Sequence, residues 1–388
     1  MRPVILILIE HYLPGTRAGG PVRSVSNLVE ALGDSFEFRI LTSDHELDES
    51  EPYPDIEAGK WYPVGKAQVR YLKNEERRLF AFGEIIRRTP HDLLLLESIF
   101  ERMSIFALVL RRVGGLKHGE VLITPRGHLG RGALEQKFVK KAGFLAVVRP
   151  LGLYSGLHWY ATSAAERDEI VREFGPGEAA RIRIIPNLPS TPITSALTVH
   201  LPKQPGSLRI VFLSRISRKK NLHFALETLR EMSENVEFDI YGPLEDDIYW
   251  AECQAIVATL PTNIRVQYRG FVPFEQTIAV INGYHLFYLP TLHENYGHVI
   301  AEALAAGCPV LISNRTPWND LEDFGAGWAL PLDDQQAFSL VLKQMCALND
   351  VDFAARREQV AKYLRQHPAA SETGALFRTL FDELIARD

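Results

Sequence analysis

Residues 290–310 read PTLHENYGHVIAEALAAGCPV, and they follow the apolar run Leu286–Leu289. A short apolar strand ends at Pro290, a polar loop carries Glu294, and a helix starts near Gly297. Gly307 and Pro309 stop that helix before the next strand begins at Val310. Strand, loop, helix and strand within about thirty residues is the unit of a parallel sheet covered by helices. The loop–helix junction of such a unit exposes backbone amides from Asn295, Tyr296, Gly297 and His298, which favour an anion. Glu302 sits about a turn and a half into the helix among apolar neighbours. A carboxylate there needs a polar partner, such as the hydroxyls of a ribose.

The same alternation runs outward in both directions. Toward the C-terminus it continues through 328–330 and a helix near 334–347. Toward the N-terminus, strands are expected at 4–9, 36–41, 69–72, 93–96, 121–124, 159–161, 182–185, 208–213, 237–241 and 265–268. Helices are expected between them near 21–32, 78–88, 102–113, 133–147, 163–174, 220–232, 247–259 and 274–281. At 388 residues the chain exceeds what one core supports. The proline-rich stretch 186–206 has no apolar period and reads as a linker. The expected fold class is therefore α/β, with two Rossmann-like doubly wound domains facing each other across a cleft. The expected boundaries are 1–187 for the N-terminal domain, 188–206 for the linker and 207–368 for the second domain, with a helix over 369–388 crossing back to the first. Ligands of such folds sit outside the carboxyl ends of the strands.

Two more loops at strand ends carry chemistry. Gly19 and Gly20, ahead of Pro21, follow the first strand and let backbone approach a ligand closely. The pattern is neither G-x-G-x-x-G nor a P-loop. Arg215, Arg218, Lys219 and Lys220 follow the first strand of the second domain, where arginine can grip a diphosphate with two parallel bonds and lysine adds a point charge.

Charge is uneven. The formal net charge of -5 divides into +2 for residues 1–186 and -7 for the remainder. Segment 102–149 holds ten cations against Glu120 and Glu135, a local +8 interleaved with Phe138, Phe144 and Leu145. That pattern suits an anionic membrane surface or a phosphate-bearing acceptor. With an acidic chain and no stacking platform of aromatics, nucleic acid is not an expected partner. The three cysteines have no metal-ligand spacing and read as reduced thiols. Asp246-Asp247 and Asp333-Asp334 fall at expected helix starts, where acids complement the dipole, and no metal site is expected. Apolar runs such as Val4–Ile9 and Leu93–Leu96 are far too short to span a bilayer, and Glu10 and His11 interrupt the first before it could act as a leader. The expected location is the cytoplasm, with a peripheral hold on the inner membrane face.

The segment from Glu294 to Glu302 resembles the E-x(7)-E marker of the retaining glycosyltransferases of family 4, which have the GT-B fold. Tyr296, Gly297, Ala303, Leu304, Ala305, Gly307, Pro309 and Val310 stand where that family places them. Arg215 and Lys220 match its G-R-x-x-x-x-K-G element, with Ser214 and Asn221 in place of the glycines. Gly19-Gly20-Pro21, Thr124–Gly127, Ala161–Glu166 and Ile185–Asn187 follow in family order. Arg126, Gly127, His128 and Trp318 are similar to a subgroup that assembles cell-surface polysaccharide.

The resemblance implies a retaining, metal-independent transferase that needs no cofactor. It would use a UDP- or GDP-linked sugar and a glycan or polyprenyl-diphosphate-linked acceptor. It assigns Glu294 to a hydroxyl of the donor sugar and Glu302 to the ribose. Arg215 and Lys220 would take the diphosphate, with the amides of Tyr296 and Gly297 and the Gly19–Gly20 loop. Asn295 and His298 flank the donor, and Arg126, His128 and Glu97 are candidate acceptor or sugar contacts. Two other readings share the architecture: a nucleotide-sugar epimerase, and a catalytically silent nucleotide-sugar-binding subunit.

Overall fold

The structure is a computed structural model and describes residues 2–116, 119–130, 138–189, 201–366 and 370–386. The chain divides into two compact units, one of Met1–Pro189 with Ala370–Asp388 and one of Ser190–Ala369. Each is built on its own twisted sheet.

In unit 1 the strands are β1 (Val4–Leu8), β2 (Glu37–Ser43), β3 (Trp61–Val64), β4 (Ala67–Leu72), β5 (Leu93–Leu96), β6 (Glu120–Ile123), β7 (His158–Ala161) and β8 (Ile182–Ile184). They lie in the order β3-β4-β2-β1-β5-β6-β7-β8, parallel except where β3 pairs antiparallel with β4. Helices α1 (Gly20–Leu32), α2 (Leu79–Arg88), α3 (Arg102–Arg112), α4 (Phe138–Val148) and α5 (Ala164–Phe174) connect them. The strands β1 and β5 are buried on both faces, which is why they read as unbroken apolar runs.

Unit 2 holds β9 (Ser207–Leu213), β10 (Asn235–Tyr241), β11 (Ile264–Gly270), β12 (Leu286–Leu289), β13 (Val310–Ser313) and β14 (Gly327–Leu330). Their order is β11-β10-β9-β12-β13-β14 and every pairing is parallel. The helices are α6 (Leu222–Leu229), α7 (Asp247–Val257), α8 (Phe274–Ile281), α9 (His298–Ala305), α10 (Gln335–Ala347) and α11 (Asp350–Gln366). The acidic pairs are structural: Asp246 caps α7 by accepting from the Tyr249 amide, and Asp334 caps α10 by accepting from that of Ala337.

The last helix, α12 (Ala370–Ile385), belongs to unit 1. Phe377, Leu380, Phe381 and Leu384 enter the core beside Leu32 and Phe36, and the Phe36 and Phe381 rings meet edge to face at 5.5 Å. Burying each of those phenylalanines contributes roughly 1.5–3 kcal/mol.

Three elements depart from the sequence-based expectation. β3 has no strand period because it is a half-exposed edge carrying Pro63, a residue an edge strand tolerates. α11 was not anticipated, since it buries only Phe353, Val360, Ala361 and Tyr363 and its remaining residues are mostly charged or polar. The helix expected from 220 starts instead at Leu222, after a 3-10 turn over Arg218–Lys220. Residues 133–137 of the helix expected over 133–147, and 190–200 of the expected linker, lie outside the described residues.

In both sheets the strand order reverses once, between β1 and β5 in unit 1 and between β9 and β12 in unit 2. The chain leaves the carboxyl ends of β9 and β12 into the two loops that the sequence singled out. Open α/β sheets bind ligands at this kind of reversal.

Candidate functional site

In unit 2, the turn after β9 and the loop after β12 are laced together by main-chain and side-chain bonds. The Leu292 amide and the Thr291 hydroxyl both donate to the Lys219 carbonyl, at 2.9 and 3.0 Å. Asn221 donates from Nδ2 to the Pro290 carbonyl at 2.9 Å. Asn221 has φ 62° and ψ 39°, the left-handed region that asparagine tolerates better than most residues. Gly242 has φ 134°, and a Cβ there would lie 1.9 Å from the Ser214 carbonyl oxygen.

This lacing brings the Lys220 ammonium onto the Glu294 carboxylate, with both side chains nearly buried. Burial pushes the Glu294 carboxyl up. The Lys220 ammonium, with Lys219 and Arg215 behind it, more than offsets that and holds the group below the usual carboxylate range. Glu294 is thus an acceptor-only anion, able to take a ligand hydroxyl. Burial pulls the Lys219 ammonium down, with Glu294 opposing. Arg215 is half-exposed and paired with Glu245 at 3.0 Å.

Gly297 is the N-cap of α9, with φ 79° and ψ 63° and no side-chain cap. A Cβ there would meet Ile300 Cδ1 at 2.7 Å as well as an unfavourable φ, so glycine is required. Glu302 is buried in the second turn of α9, at 3% exposure. The Tyr296 ring lies edge to face with that of His298, 4.9 Å between centroids. Asn295 is half-buried in the same loop.

The loop after β13 closes over this arrangement, and its part was not anticipated. Ser313 donates from its hydroxyl to the Thr291 carbonyl, the Glu294 amide donates to the Arg315 carbonyl at 2.9 Å, and the Trp318 indole N–H donates to the Tyr296 carbonyl at 2.5 Å. The sequence signal available was Thr316-Pro317-Trp318 immediately after a strand.

In unit 1, Gly19 adopts φ 72° and ψ -121° at the start of α1, which favours glycine, and Gly20 is the helix's first residue. The preceding loop is held by Glu46, which accepts from the Thr16 amide at 2.8 Å. At the carboxyl ends of β5 and β6, Arg126 and Glu97 require a correction. They were expected to contact sugar or acceptor. Instead Glu97 is fully buried and receives Arg126 Nε at 2.6 Å and a second guanidinium nitrogen at 2.5 Å. The remaining Arg126 nitrogen donates to the Tyr160 hydroxyl at 2.9 Å and to Asn187 Oδ1 at 2.8 Å. Burial pushes the Glu97 carboxyl up while Arg126 opposes it. The two charges pair with each other within unit 1, because a buried charge needs a buried partner.

Arg126 itself has φ 51°, and this strained turn is held by Glu166, whose buried carboxylate accepts from the Gly127 amide at 2.6 Å. His128 is half-buried, with Nδ1 3.2 Å from the Ser98 hydroxyl. Glu101, next to the same strand end, receives the Glu10 amide at 3.1 Å. Burial and the nearby Glu10 charge push its carboxyl up to about 8.

Within segment 102–149, the outward placement expected of Phe144 and Leu145 needs correction. Leu145 is core, and Phe144 packs on Phe100 with centroids 5.8 Å apart, so neither is presented outward. Val113 and Val147 are exposed instead, at 74% and 60%. Arg111 and Arg112 donate to the carbonyls of Ser155, Gly156 and Leu151, and Arg149 pairs with Glu173. Lys117, Arg131, Lys137 and the side chains of Phe138, Lys140 and Lys141 lie outside the described residues. Among the described residues, no group of three or more His, Cys, Asp or Glu is placed to hold a metal ion, and no helix is long and apolar enough to cross a membrane.

Residues 198–367, most of unit 2, match the family model described as "Glycosyl transferases group 1". The protein provisionally named colanic acid biosynthesis glycosyltransferase WcaL from Salmonella typhimurium is 24% identical over 191 residues, 46% of this chain and 47% of the relative. The 2-deoxystreptamine glucosyltransferase of Streptomyces kanamyceticus is 28% identical over 110 residues, 28% of each chain. The chain thus matches about half or less of the length of these curated relatives. Among solved structures, Anabaena HepE in complex with UDP and glucose aligns with a TM-score of 0.72 at 14% identity, covering 99% of this chain and all of that one. WaaG, a glycosyltransferase involved in lipopolysaccharide biosynthesis, aligns at 0.67 with 12% identity, covering 96% of this chain and 98% of its own. The fold is that of the GT-B glycosyltransferases, two Rossmann-like domains.

Proposed function

We propose that this chain is a retaining glycosyltransferase that moves a sugar from a UDP- or GDP-linked donor to a glycan or polyprenyl-diphosphate-linked acceptor in cell-surface polysaccharide assembly. The observation that carries the reading is the Lys220–Glu294 pair beside the glycine-capped start of α9, at the strand-order reversal of a unit that matches the group 1 family model. The UDP held by HepE and the polysaccharide and lipopolysaccharide roles named for WcaL and WaaG support the donor and acceptor classes.

In this proposal Arg215, Lys220 and the helix-end amides neutralise the departing diphosphate, a task that needs no metal. Glu294 accepts from a sugar hydroxyl and Glu302 from the ribose. The bond from the anomeric carbon to the diphosphate oxygen breaks with its electron pair on that oxygen. The acceptor oxygen bonds to the same face, and its proton passes to the departing phosphate. The burial of Glu97 on Arg126 supports the absence of a protein base there. A peripheral hold on anionic lipid through 102–149 is part of the same proposal, supported by the exposed Val113 and Val147 within that basic segment. A cytoplasmic location goes with it.

The test is a thermal-shift screen of the full chain against UDP, GDP, ADP and CMP. A ligand at a hundred times its Kd adds about 2.7 kcal/mol, so UDP or GDP should raise Tm clearly above the others, and its sugar conjugates should then yield glycoside product with an acceptor. Isomerised sugar without acceptor would instead favour the epimerase reading. No shift with any of the four would count against a donor site.

A further inference from the structure

Trp318 is not among the residues assigned to the donor above, yet its indole N–H is bonded to Tyr296, which is. It sits at 8% exposure in the loop after β13, with its ring 5.5 Å from that of Tyr296 and 6.5 Å from that of Tyr363 on α11. Its own turn is held by the Thr316 hydroxyl, which accepts the Trp318 amide at 3.2 Å, and by Asn319, which donates to the Thr316 carbonyl at 2.8 Å. Tyr363 in turn donates to Asp320 at 2.8 Å. The indole is therefore fixed from both sides before it reaches the loop after β12.

What it reaches is a single peptide unit. The indole N–H donates to the Tyr296 carbonyl, and that carbonyl belongs to the trans peptide linking Tyr296 to Gly297. A planar trans peptide carries its N–H on the side opposite its C=O. Holding the carbonyl against Trp318 thus turns the Gly297 N–H away from the β13 loop. Gly297 is the residue whose left-handed backbone opens α9, and it has no side chain to restrain the peptide by packing. Without a fixed carbonyl, a peptide preceding a left-handed glycine can rotate with little steric resistance. The neighbouring bond, from the Glu294 amide to the Arg315 carbonyl, anchors the same loop two residues earlier but leaves the 296–297 peptide unconstrained.

We propose that Trp318 is a positioning residue for the donor diphosphate, using its indole N–H to hold the Tyr296–Gly297 peptide so that the Gly297 amide faces the anion at the start of α9. The proposal rests on the donor-site reading given above. It assigns α11, through Tyr363, the task of seating the indole. A buried tryptophan also needs some acceptor for its N–H, so the test must separate orientation of the amide from satisfaction of the indole.

The test compares UDP with UMP, and GDP with GMP, by titration calorimetry on the full chain and on Trp318→Phe, which keeps an aromatic ring and removes the donor. A hydrogen bond to a charged group is worth enough that its misdirection weakens binding about tenfold. The expected result is that loss for the nucleoside diphosphate with a much smaller one for the monophosphate, so that the ratio of the two affinities falls by about tenfold. An unchanged ratio, with or without a lower Tm, would overturn the proposal and leave Trp318 a packing residue. Should Trp318→Phe not fold, Trp318→benzothienylalanine, which has the indole shape with sulfur in place of N–H, gives the same comparison. If the unaltered protein binds neither diphosphate, the donor-site reading itself fails, and that outcome is recognisable because it precedes any variant.

Discussion

Replacing Arg126 by methionine should be among the most damaging single changes in unit 1. The side chain is 6% exposed and gives Glu97 two bonds, at 2.6 and 2.5 Å, while Glu97 is itself fully buried. Arg126→Met strands that carboxylate and also removes the guanidinium donors to Tyr160 and Asn187. Breaking one side of a buried ion pair costs about 3–5 kcal/mol. In a domain of about 200 residues each kcal/mol shifts Tm by roughly 2–4 °C, so a fall of roughly 6–20 °C is expected.

The sign of the pH dependence provides a second check. Burial already holds the Glu97 carboxyl above its unfolded range, and losing Arg126 raises it further. A group whose folded pKa is raised binds more protons when folded than when unfolded, so the variant loses stability as pH rises from the unfolded carboxylate range. The deficit against wild type should therefore be smaller at pH 5 than at pH 8. Urea unfolding monitored by circular dichroism at both values reads it. The double variant Glu97→Leu with Arg126→Met should recover part of the loss, since no charge is left unpaired. A single variant within about 1 kcal/mol of wild type at pH 8 would refute the reasoning, because a stranded, fully buried carboxylate cannot be that cheap.

Two further outcomes are expected. Gly297→Ala places a Cβ 2.7 Å from Ile300 Cδ1 at a φ of 79°, so it should destabilise by about 1–3 kcal/mol and weaken nucleoside diphosphate binding; wild-type calorimetric affinity would contradict the assigned role. Glu101, held up to about 8 by burial and by Glu10, is protonated in the fold at pH values where the unfolded chain is ionised. Stability should decline as pH rises from the unfolded range toward 8, and Glu101→Gln should flatten that slope in chemical denaturation.

The alternation of short apolar strands with amphipathic helices was legible along the chain, because periodicity is a property of neighbouring residues. The strand–loop–helix unit around Glu294 carried its own meaning for the same reason: Gly297, Glu302 and Gly307 are spaced along one local element. The edge strand at Trp61–Val64 and the helix Asp350–Gln366 were not legible, since each is mostly exposed and neither shows a clear apolar period.

Which strand lies beside which, and so which loops meet, was decided only in three dimensions. Arg126 and Glu97 look like a cationic and an acidic candidate for a ligand until the fold brings β5 and β6 side by side, where they consume each other's charge. Phe144 and Leu145 look like membrane anchors until packing turns them inward. Trp318 has no local pattern that ties it to Tyr296, because the contact exists only when β12 and β13 pair and carry their loops together. A chain determines its elements by local chemistry, whereas burial and pairing are relations between distant residues, and these decide which polar groups remain for a ligand.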